Sequence, residues 1–447
     1  MKPAEALLSG LDPAQREAAR CLEGTLCLRA GAGSGKTSTV SARIALGLER
    51  GRWDPSKTLA IAFSRRAAQA LRSRLLSVGA PEKVKVSTFH SLALAQLRRL
   101  WSLLALSPFP LLLDEAGSLA LFEKAFGPGP RAAQFFSALK WAKSSLVGPG
   151  ELEEASSYSS FPLPRGFKEA WETYEKAKKA AGKIDFGDIF ILLLHILETS
   201  LEARRLVSGA FQSVTADEYQ DVSPAEHAIL KFWAAGAESV CVVGDPAQTI
   251  YSFTGSSSWF LSHAQGDFPP PYREIALLSN YRSGREVIRC ANGILALSPE
   301  RYSPLRPGLK IRGAVERRSF KDLPSLARAA AGLAKGRDPA KSFAILARTY
   351  RDLDALASAL SLARVPFGPP GCEGEGRIAL STLHAAKGLE WDEVVLAIGT
   401  ERGGKEEEER RTLYVGATRA KERLFIFFLP SPCNLSRFLP FSPSKGR

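Results

Sequence analysis

No run of about 18 apolar residues occurs in this chain, so no helical membrane span is expected. Cysteine is scarce, six in 447 residues, at positions 21, 27, 241, 290, 372 and 433 with no CxxC pair. That spacing argues against a metal site or disulfide framework and for reduced, mostly buried thiols in a cytosolic protein. The opening Met1-Lys-Pro-Ala-Glu lacks the basic-then-apolar layout of a secretory signal. Internal repeats and long low-complexity segments are missing too. Negative charge is the last shortfall: 46 Asp and Glu face 60 Lys and Arg, for a net charge of +14. A polyanion is the natural partner of such a surface, because neutralising phosphates releases counterions. The remaining composition, 45% hydrophobic and 24% charged, is ordinary for a globular protein with two or three domains.

The most informative stretch present runs from Gly24 to Thr37. It reads as a strand, Thr25 to Arg29, entering a glycine-rich loop and then a helix starting near Lys36. The loop Ala30, Gly31, Ala32, Gly33, Ser34, Gly35, Lys36, Thr37 fits the phosphate-binding pattern in its Ala-first form. Its glycines let the backbone curl so that several N–H groups point at one anion, and the helix adds its positive end. Lys36 is expected to reach the β- and γ-phosphates of a nucleotide, with the Thr37 hydroxyl on Mg²⁺.

Strand and helix alternate to about residue 90, with strands at Lys57–Phe63 and Lys83–Thr88 and helices at Arg65–Leu76 and Phe89–Leu100, which argues for a parallel sheet with crossover helices. Residues 101–184 turn helical and are broken by prolines at 128–130, 149 and 162–164, the texture of a helical insertion. The segment Lys176 to Lys183 reads as a solvated helix end. Strand signals resume at Ser213–Ala216, Glu238–Val243 and Glu274–Leu278, each followed by polar residues where open α/β sheets bind ligands. Residues 298–318, rich in Pro and Arg, read as a surface loop. Later strands are expected at Ser342–Ala347, Arg377–Ser381, Glu393–Ile398 and Arg423–Leu429. The expected class is α/β with two parallel-sheet domains: residues 1–100 with 185–270, the insertion at 101–184, and 271–447 after the stiff Phe268-Pro-Pro-Pro271 joint.

Asp217-Glu218 at a strand end supplies what the phosphate loop lacks, one carboxylate for Mg²⁺ and a second to polarise the attacking water. Gly244 to Phe253 couples a γ-phosphate sensor candidate, Gln248, to Tyr251 and Phe253. Those two rings suit either stacking on single-strand bases or ordinary core packing. Arg282 and Arg419 are candidates for neutralising charge on the γ-phosphate.

Taken in order, these strings resemble a superfamily-one DNA helicase of the UvrD/Rep/PcrA type. Leu11-Asp-Pro-Ala-Gln15, Ala30–Thr37, Ala62-Phe-Ser-Arg-Arg-Ala-Ala68, Ser87-Thr-Phe-His-Ser91 and Asp217–Asp221 match its first motifs. Gly244–Gly255, Asn280-Tyr-Arg-Ser283, Ser381–Glu390 and Leu413–Ala420 match the later ones. The resemblance implies two RecA-like domains binding ATP and Mg²⁺. It also implies that Gln15 reads the adenine edge, Tyr281 stacks on the base and Glu390 binds the ribose. Lys36, Thr37 and Asp217 would hold Mg·ATP, Glu218 would act as base, and Gln248, Arg282 and Arg419 would serve the γ-phosphate. Phe63, Thr88, His90, Tyr251, Phe253 and His384 would line the single-strand track, although without the motifs both histidines read as satisfied, partly buried side chains.

Three positions depart from the pattern. Ser38 stands where the family usually has an arginine over the adenine, Thr254 replaces an arginine after the motif III aromatic, and Arg65-Arg66 replaces Asn-Lys. Between the family segment ending at Val365-Pro-Phe-Gly368 and motif V near Arg377 there is no room for the mobile 2B subdomain, and no appended nuclease domain is expected. The resemblance therefore implies a stripped ATP-dependent motor moving 3′-to-5′ on single-stranded DNA and at single–double strand junctions, in repair, recombination or replication. It would be a cytoplasmic, nucleoid-associated monomer that meets a repair or replication protein and no membrane. The alternatives are a translocase or displacement subunit that needs a partner to unwind, and a nucleotide-gated binding module.

Overall fold

A computed structural model describes residues 4–104, 108–156, 163–296, 298–371, 376–399, 405–431 and 435–439. Cys21, Cys27, Cys241 and Cys290 are buried free thiols, and Cys372 and Cys433 lie outside the described residues. Among the described residues no helix is long and apolar enough to cross a membrane. The chain divides into two compact units. One comprises Met1–Arg29, Lys36–Gly244 and Tyr251–Ala276; the other comprises Ala30–Gly35, Asp245–Ile250 and Leu277–Arg447.

The first unit is built on β1 (Gly24–Ala30), β2 (Thr58–Ala62), β3 (Lys85–Thr88), β4 (Ser213–Ala216), β5 (Ser239–Gly244) and β6 (Tyr272–Leu277), ordered β3-β2-β4-β5-β1-β6. The four pairings from β3 to β1 are parallel. Strands β2, β4 and β5 are buried along their whole length and β1 along nearly all of it, as short apolar strands covered by helices on both faces must be. Helix α1 (Pro13–Arg20) opens on a capping box in which Asp12 and Gln15 satisfy each other's backbone N–H groups. Helices α2 (Lys36–Glu49), α3 (Arg65–Ser77) and α4 (Phe89–Leu103) follow β1, β2 and β3 directly. The strand after the triple proline, β6, joins this sheet beside β1, so the compact unit runs on past residue 270 to Ala276.

Between α4 and α8 (Phe186–Thr199) the chain adds α5 (Glu115–Phe126), α6 (Pro130–Ser144) and α7 (Phe167–Ala180), which share a core of Phe122, Phe135, Leu139, Trp171 and Tyr174. The lysine-rich end of α7 is not a solvated helix end throughout. Lys178 is 3% exposed and pairs with Glu175, Asp185 and Asp188, because three carboxylates offset the cost of burying its ammonium. Helix α9 (Pro224–Ala234) starts on a Ser223–Glu226 capping box and packs into the main core through Ile229, Leu230 and Trp233.

The second unit carries β7 (Ala314–Ser319), β8 (Phe343–Ala347), β9 (Phe367–Gly368), β10 (Ile378–Thr382), β11 (Trp391–Ile398) and β12 (Ala420–Phe428), ordered β7-β12-β11-β8-β10-β9 with every pairing parallel. Helices α10 (Arg285–Leu295), α11 (Leu323–Lys335), α12 (Tyr350–Leu362) and α13 (Glu406–Ala417) accompany it. Both units thus have the α/β architecture expected from the alternation. The expected surface loop at 298–318 is corrected in two places: β7 is an edge strand of this sheet, and Arg306–Pro307 pairs with Ser279–Asn280. The physical reason is edge position. An edge strand buries little, so Ala-Val-Glu-Arg-Arg-Ser carries charge where an inner strand would carry aliphatics. Strands β9 and β10 pair directly and are joined by residues 369–377.

A close approach in the first unit gives a stability test. A Cβ on Gly47 of α2 would lie 2.2 Å from the ring of Trp53, which is buried and stacked under the Arg43 guanidinium at 5.0 Å. Gly47→Ala should therefore destabilise the fold by about 1–3 kcal/mol despite its better helix propensity. A lowered denaturant midpoint at unchanged slope is the expected result.

Candidate nucleotide and single-strand sites

The glycine loop follows β1 and leads into α2. Gly33 and Gly35 adopt φ of 66° and 78°, the left-handed region that glycine enters without strain. The loop is gripped from motif IV. Asn280 Nδ2 donates to Ala32 O at 2.7 Å, and the Tyr281 N–H donates to Gly33 O at 2.8 Å. A Cβ on Gly33 would fall 2.7 Å from Asn280 Nδ2 and 2.8 Å from Arg282 Cβ, so no larger residue fits there.

At the start of α2, Lys36 Nζ lies 3.4 Å from Glu218 Oε1. Glu218 stands just after β4 with φ 54° and ψ 39°, a left-handed conformation that is costly for a residue with a Cβ. Its N–H donates to Asp217 Oδ1 at 3.0 Å, and Gln220 Nε2 donates to its Oε2 at 2.5 Å. The Asp217 carboxyl is pushed up to about 6, by burial first and then by the Glu218 charge, while Lys36 and the Glu218 N–H pull it down. Asp217 and Glu218 are adjacent carboxylates that repel each other, and Thr37 at the start of α2 is exposed. Gln15 is 4% exposed, with Oε1 accepting the Asp12 N–H at 2.9 Å, so the helix cap orients its amide. Arg74 Nη2 on α3 approaches Ser38 Oγ at 3.5 Å, bringing a guanidinium to a position where the motif string shows only a serine. No local pattern in the sequence marks Arg74.

The second unit gathers the other expected phosphate and sugar ligands. Gln248 is buried, with Nε2 donating to Asp245 Oδ2 at 2.7 Å and Oε1 3.4 Å from Arg419 Nη2. Arg419 is itself buried and held by the carbonyls of Val415 and Leu389. Lys387, unassigned by the sequence reading although it lies inside motif V, donates to Gln248 O at 2.6 Å. Arg282 Nε donates to Glu390 Oε2 at 2.5 Å, which unites a residue expected at the γ-phosphate with one expected at the ribose. Burial raises the Glu390 carboxyl, but the charges of Arg282 and Lys421 outweigh it and leave it below the usual range. Tyr281 is 37% exposed, with Gly308 against its ring.

Five of the six expected strand-binding residues belong to the first unit. Phe63 stacks on Tyr251 at 5.6 Å and 16°, and Phe253 meets Tyr251 at 6.1 Å and 65°. Phe63 and Phe253 are exposed, unlike ordinary core rings. Thr88 is buried and caps α4, its hydroxyl accepting the Ser91 N–H at 3.3 Å. His90 packs edge-on against Phe190 at 4.5 Å and Phe186 at 5.9 Å, with Glu226 3.9 Å away. Burial pushes His90 down to about 4 and Glu226 up to about 7. A cavity of about 440 Å³ opens here, lined by Phe63, His90, Phe136, Phe186, Phe190 and Thr254 among others. Phe186 was missed in sequence because it stands alone at the start of α8. His384 belongs to the second unit, where burial and then the charges of Arg348 and Lys387 push it down to about 4.

The family described as UvrD/REP helicase N-terminal domain matches residues 11–269, and the UvrD-like helicase C-terminal domain matches residues 370–430. The chain is 31% identical over 397 residues to the ATP-dependent DNA helicase UvrD2 of Mycobacterium tuberculosis (strain ATCC 25618 / H37Rv), covering 82% of this chain and 56% of that protein. It is 31% identical over 299 residues to the ATP-dependent DNA helicase PcrA of Bacillus subtilis (strain 168), covering 65% and 40%. The chain spans about half the length of these curated relatives.

The Asp217 geometry predicts a pH dependence. Its proton leaves near pH 6, against an ordinary 3.8, so the folded site loses stability as pH rises through 6 and regains it below 3.8. Mg²⁺ needs the ionised form, so apparent Mg²⁺ affinity in fluorescent-ATP binding should hold above pH 6 and fall below it, by up to about tenfold per unit. Removing the Glu218 charge in Glu218→Gln should move that midpoint to lower pH. A midpoint that does not move would assign the titration to the nucleotide instead.

Proposed function

Because the chain belongs to the UvrD/REP helicase family, we propose that it is an ATP-dependent DNA helicase or translocase that couples ATP hydrolysis to 3′-to-5′ movement on single-stranded DNA. The observation that carries the reading is the Lys36–Glu218–Asp217 group at the start of α2, in the same unit as the Phe63–Tyr251–Phe253 rings, of which Phe63 and Phe253 are exposed. In this reading the catalytic carboxylates and a base-stacking surface share one compact unit.

In this reading Lys36 meets the β- and γ-phosphates, and Gln15, Tyr281 and Glu390 hold the nucleoside. Water adds to the γ-phosphorus, its proton passes to the Glu218 carboxylate, and the bond to the bridging oxygen breaks to leave ADP and phosphate. The left-handed backbone at Glu218 aims that carboxylate, Gln220 holds Oε2, and Oε1, 3.4 Å from Lys36 Nζ, receives the proton once Lys36 turns to the phosphates. Arg282 and Arg419 serve the charge on the γ-phosphate, with Gln248 reporting on it through its contact to Arg419. Thr37 and Asp217 would hold Mg²⁺, which when bound neutralises phosphate charge. Single-stranded DNA is gripped by stacking on Phe63, Tyr251 and Phe253 and by sequence-independent phosphate contacts, so binding weakens with salt.

We further read residues 1–100 and 185–270 as the first motor domain, 101–184 as its helical insertion, and 271–447 as the second motor domain, with no 2B subdomain between β9 and β10. The pairing of those strands across only residues 369–377 supports that organisation. It also keeps a second reading open, a single-strand translocase or displacement subunit that needs a partner to separate duplex. The proposed setting is DNA repair, recombination or replication, as a monomer at the nucleoid.

Duplexes with a 3′ or a 5′ single-stranded tail, given ATP and Mg²⁺, test the proposal. Displacement from the 3′-tailed duplex alone is expected. Glu218→Gln should lose about 10²–10⁴ in DNA-stimulated turnover while still binding ATP. Preference for the 5′ tail would overturn the polarity. DNA-stimulated hydrolysis without displacement would favour the partner-dependent translocase, and no stimulation by DNA would remove the motor reading.

A further inference from the structure

Outside the residues given a task so far, one cluster of charges stands out by its burial. Lys143, in the last turn of α6, and Lys178 of α7 are each 3% exposed and share Glu175, Asp185 and Asp188. Lys143 Nζ lies 2.7 Å from an oxygen of each carboxylate. Lys178 Nζ lies 2.8 Å from Glu175, 3.0 Å from Asp185 and 2.5 Å from Asp188, and Tyr174 OH donates to Asp185 Oδ2 at 3.1 Å. Burying charges in this way adds little net stability over apolar side chains, while losing one partner is costly. The contribution such a cluster makes is geometric.

The geometry it sets is the start of α8. Asp185 and Asp188 are the two halves of that helix's capping box, and Phe186 lies between them. A Cβ on Gly187 would fall 2.7 Å from Lys143 Cδ and 2.9 Å from its Cβ, so the α8 backbone rests directly on the lysine stem. The next residue of α6 reaches the other way. Ser144 Oγ is 2.5 Å from Thr254 O, the nearest of the carbonyls around it, and Gly255 at φ 92° turns against Ser144 and Ser145. Thr254 directly follows Phe253, and its Oγ1 donates to Tyr251 O at 2.8 Å. One helical turn therefore touches both the Phe186 end of α8 and the loop that carries Tyr251 and Phe253.

We propose that the last turn of α6 is a positioning element for the single strand: Lys143, seated on the α8 capping carboxylates, and Ser144, seated on Thr254, hold Phe186 and the Tyr251–Phe253 rings in one frame. This rests on the DNA-motor reading above. A strand then meets a preformed set of stacking faces, and the ordering cost of binding is lowered in advance. Neither residue has any part in the phosphate chemistry.

The test uses the full chain with Lys143→Met, Ser144→Ala and Gly187→Ala, an oligothymidylate carrying a fluorescent end label, and a second oligonucleotide carrying 2-aminopurine. For Lys143→Met the Kd for the labelled strand should rise about tenfold, and for Ser144→Ala about threefold. The KM for ATP and the DNA-independent turnover should stay at wild-type values, and the quenching of 2-aminopurine by stacking should weaken. Should Lys143→Met fail to fold, Lys143→Met/Asp188→Asn, which removes one charge of each sign, and Ser144→Ala carry the measurement. Folded variants that bind and quench like the wild type would overturn the positioning role while leaving the motor reading intact. A wild-type chain that neither binds the strand nor hydrolyses ATP faster with it would overturn both.

Discussion

A parallel sheet sends the C-terminal ends of its strands out through one edge, and the chemistry of the first unit depends on that constraint. The ends of β2, β3 and β4 bring Phe63, Thr88 and Asp217-Glu218 to that edge, although they are scattered over much of the chain. Strands β1, β2, β4 and β5 are short and buried, so their ends are placed by packing and not by the loops that follow. The Lys36–Glu218 approach is a product of this arrangement, since its two members come from the loops after β1 and β4, strands separated in the sheet by β5.

Within that frame, the candidate sites use local cost to hold function in place. Glu218 occupies a left-handed conformation, and Asp217 keeps its proton to unusually high pH beside it. Both features are unfavourable to the isolated fold, and such locally costly groups cluster at functional sites. The second unit works by satisfied contacts instead. Arg419, Gln248, Asp245 and Lys387 form one chain of hydrogen bonds, and Arg282 and Glu390 form an ion pair. Guanidinium groups held in this way cost little to reorganise when charge develops near them.

The helical segment between α4 and α8 is more than an appendage in the first unit. It has its own aromatic core, yet its buried lysines are neutralised by carboxylates that cap α8, a helix of the main core. The two parts are therefore joined by charge as well as by apolar contact. Charge pairing is directional where apolar packing is not, which suits a junction that borders a cavity.

The sequence by itself determined the α/β class, the curled glycine loop, the acidic pair and the order of the motifs. These are local requirements: a curled loop needs glycine at Gly33 and Gly35, and a buried parallel strand needs a short apolar run. The same strings carried the family resemblance. Tertiary structure alone decided which residues meet across long separations. Nothing in the lysine-rich string at 176–183 shows that Lys178 is buried, because Asp185 and Asp188 reach it from the start of α8, beyond the turn that ends α7. The edge strand β7 escaped notice because its charged residues reflect how little an edge buries. Phe186 and Arg74 escaped for a related reason, since a lone aromatic or arginine acquires meaning only from its neighbours in space. Periodicity and spacing report what the backbone needs nearby, and long-range electrostatic and steric fit are settled only when the sheet and helices close on one another.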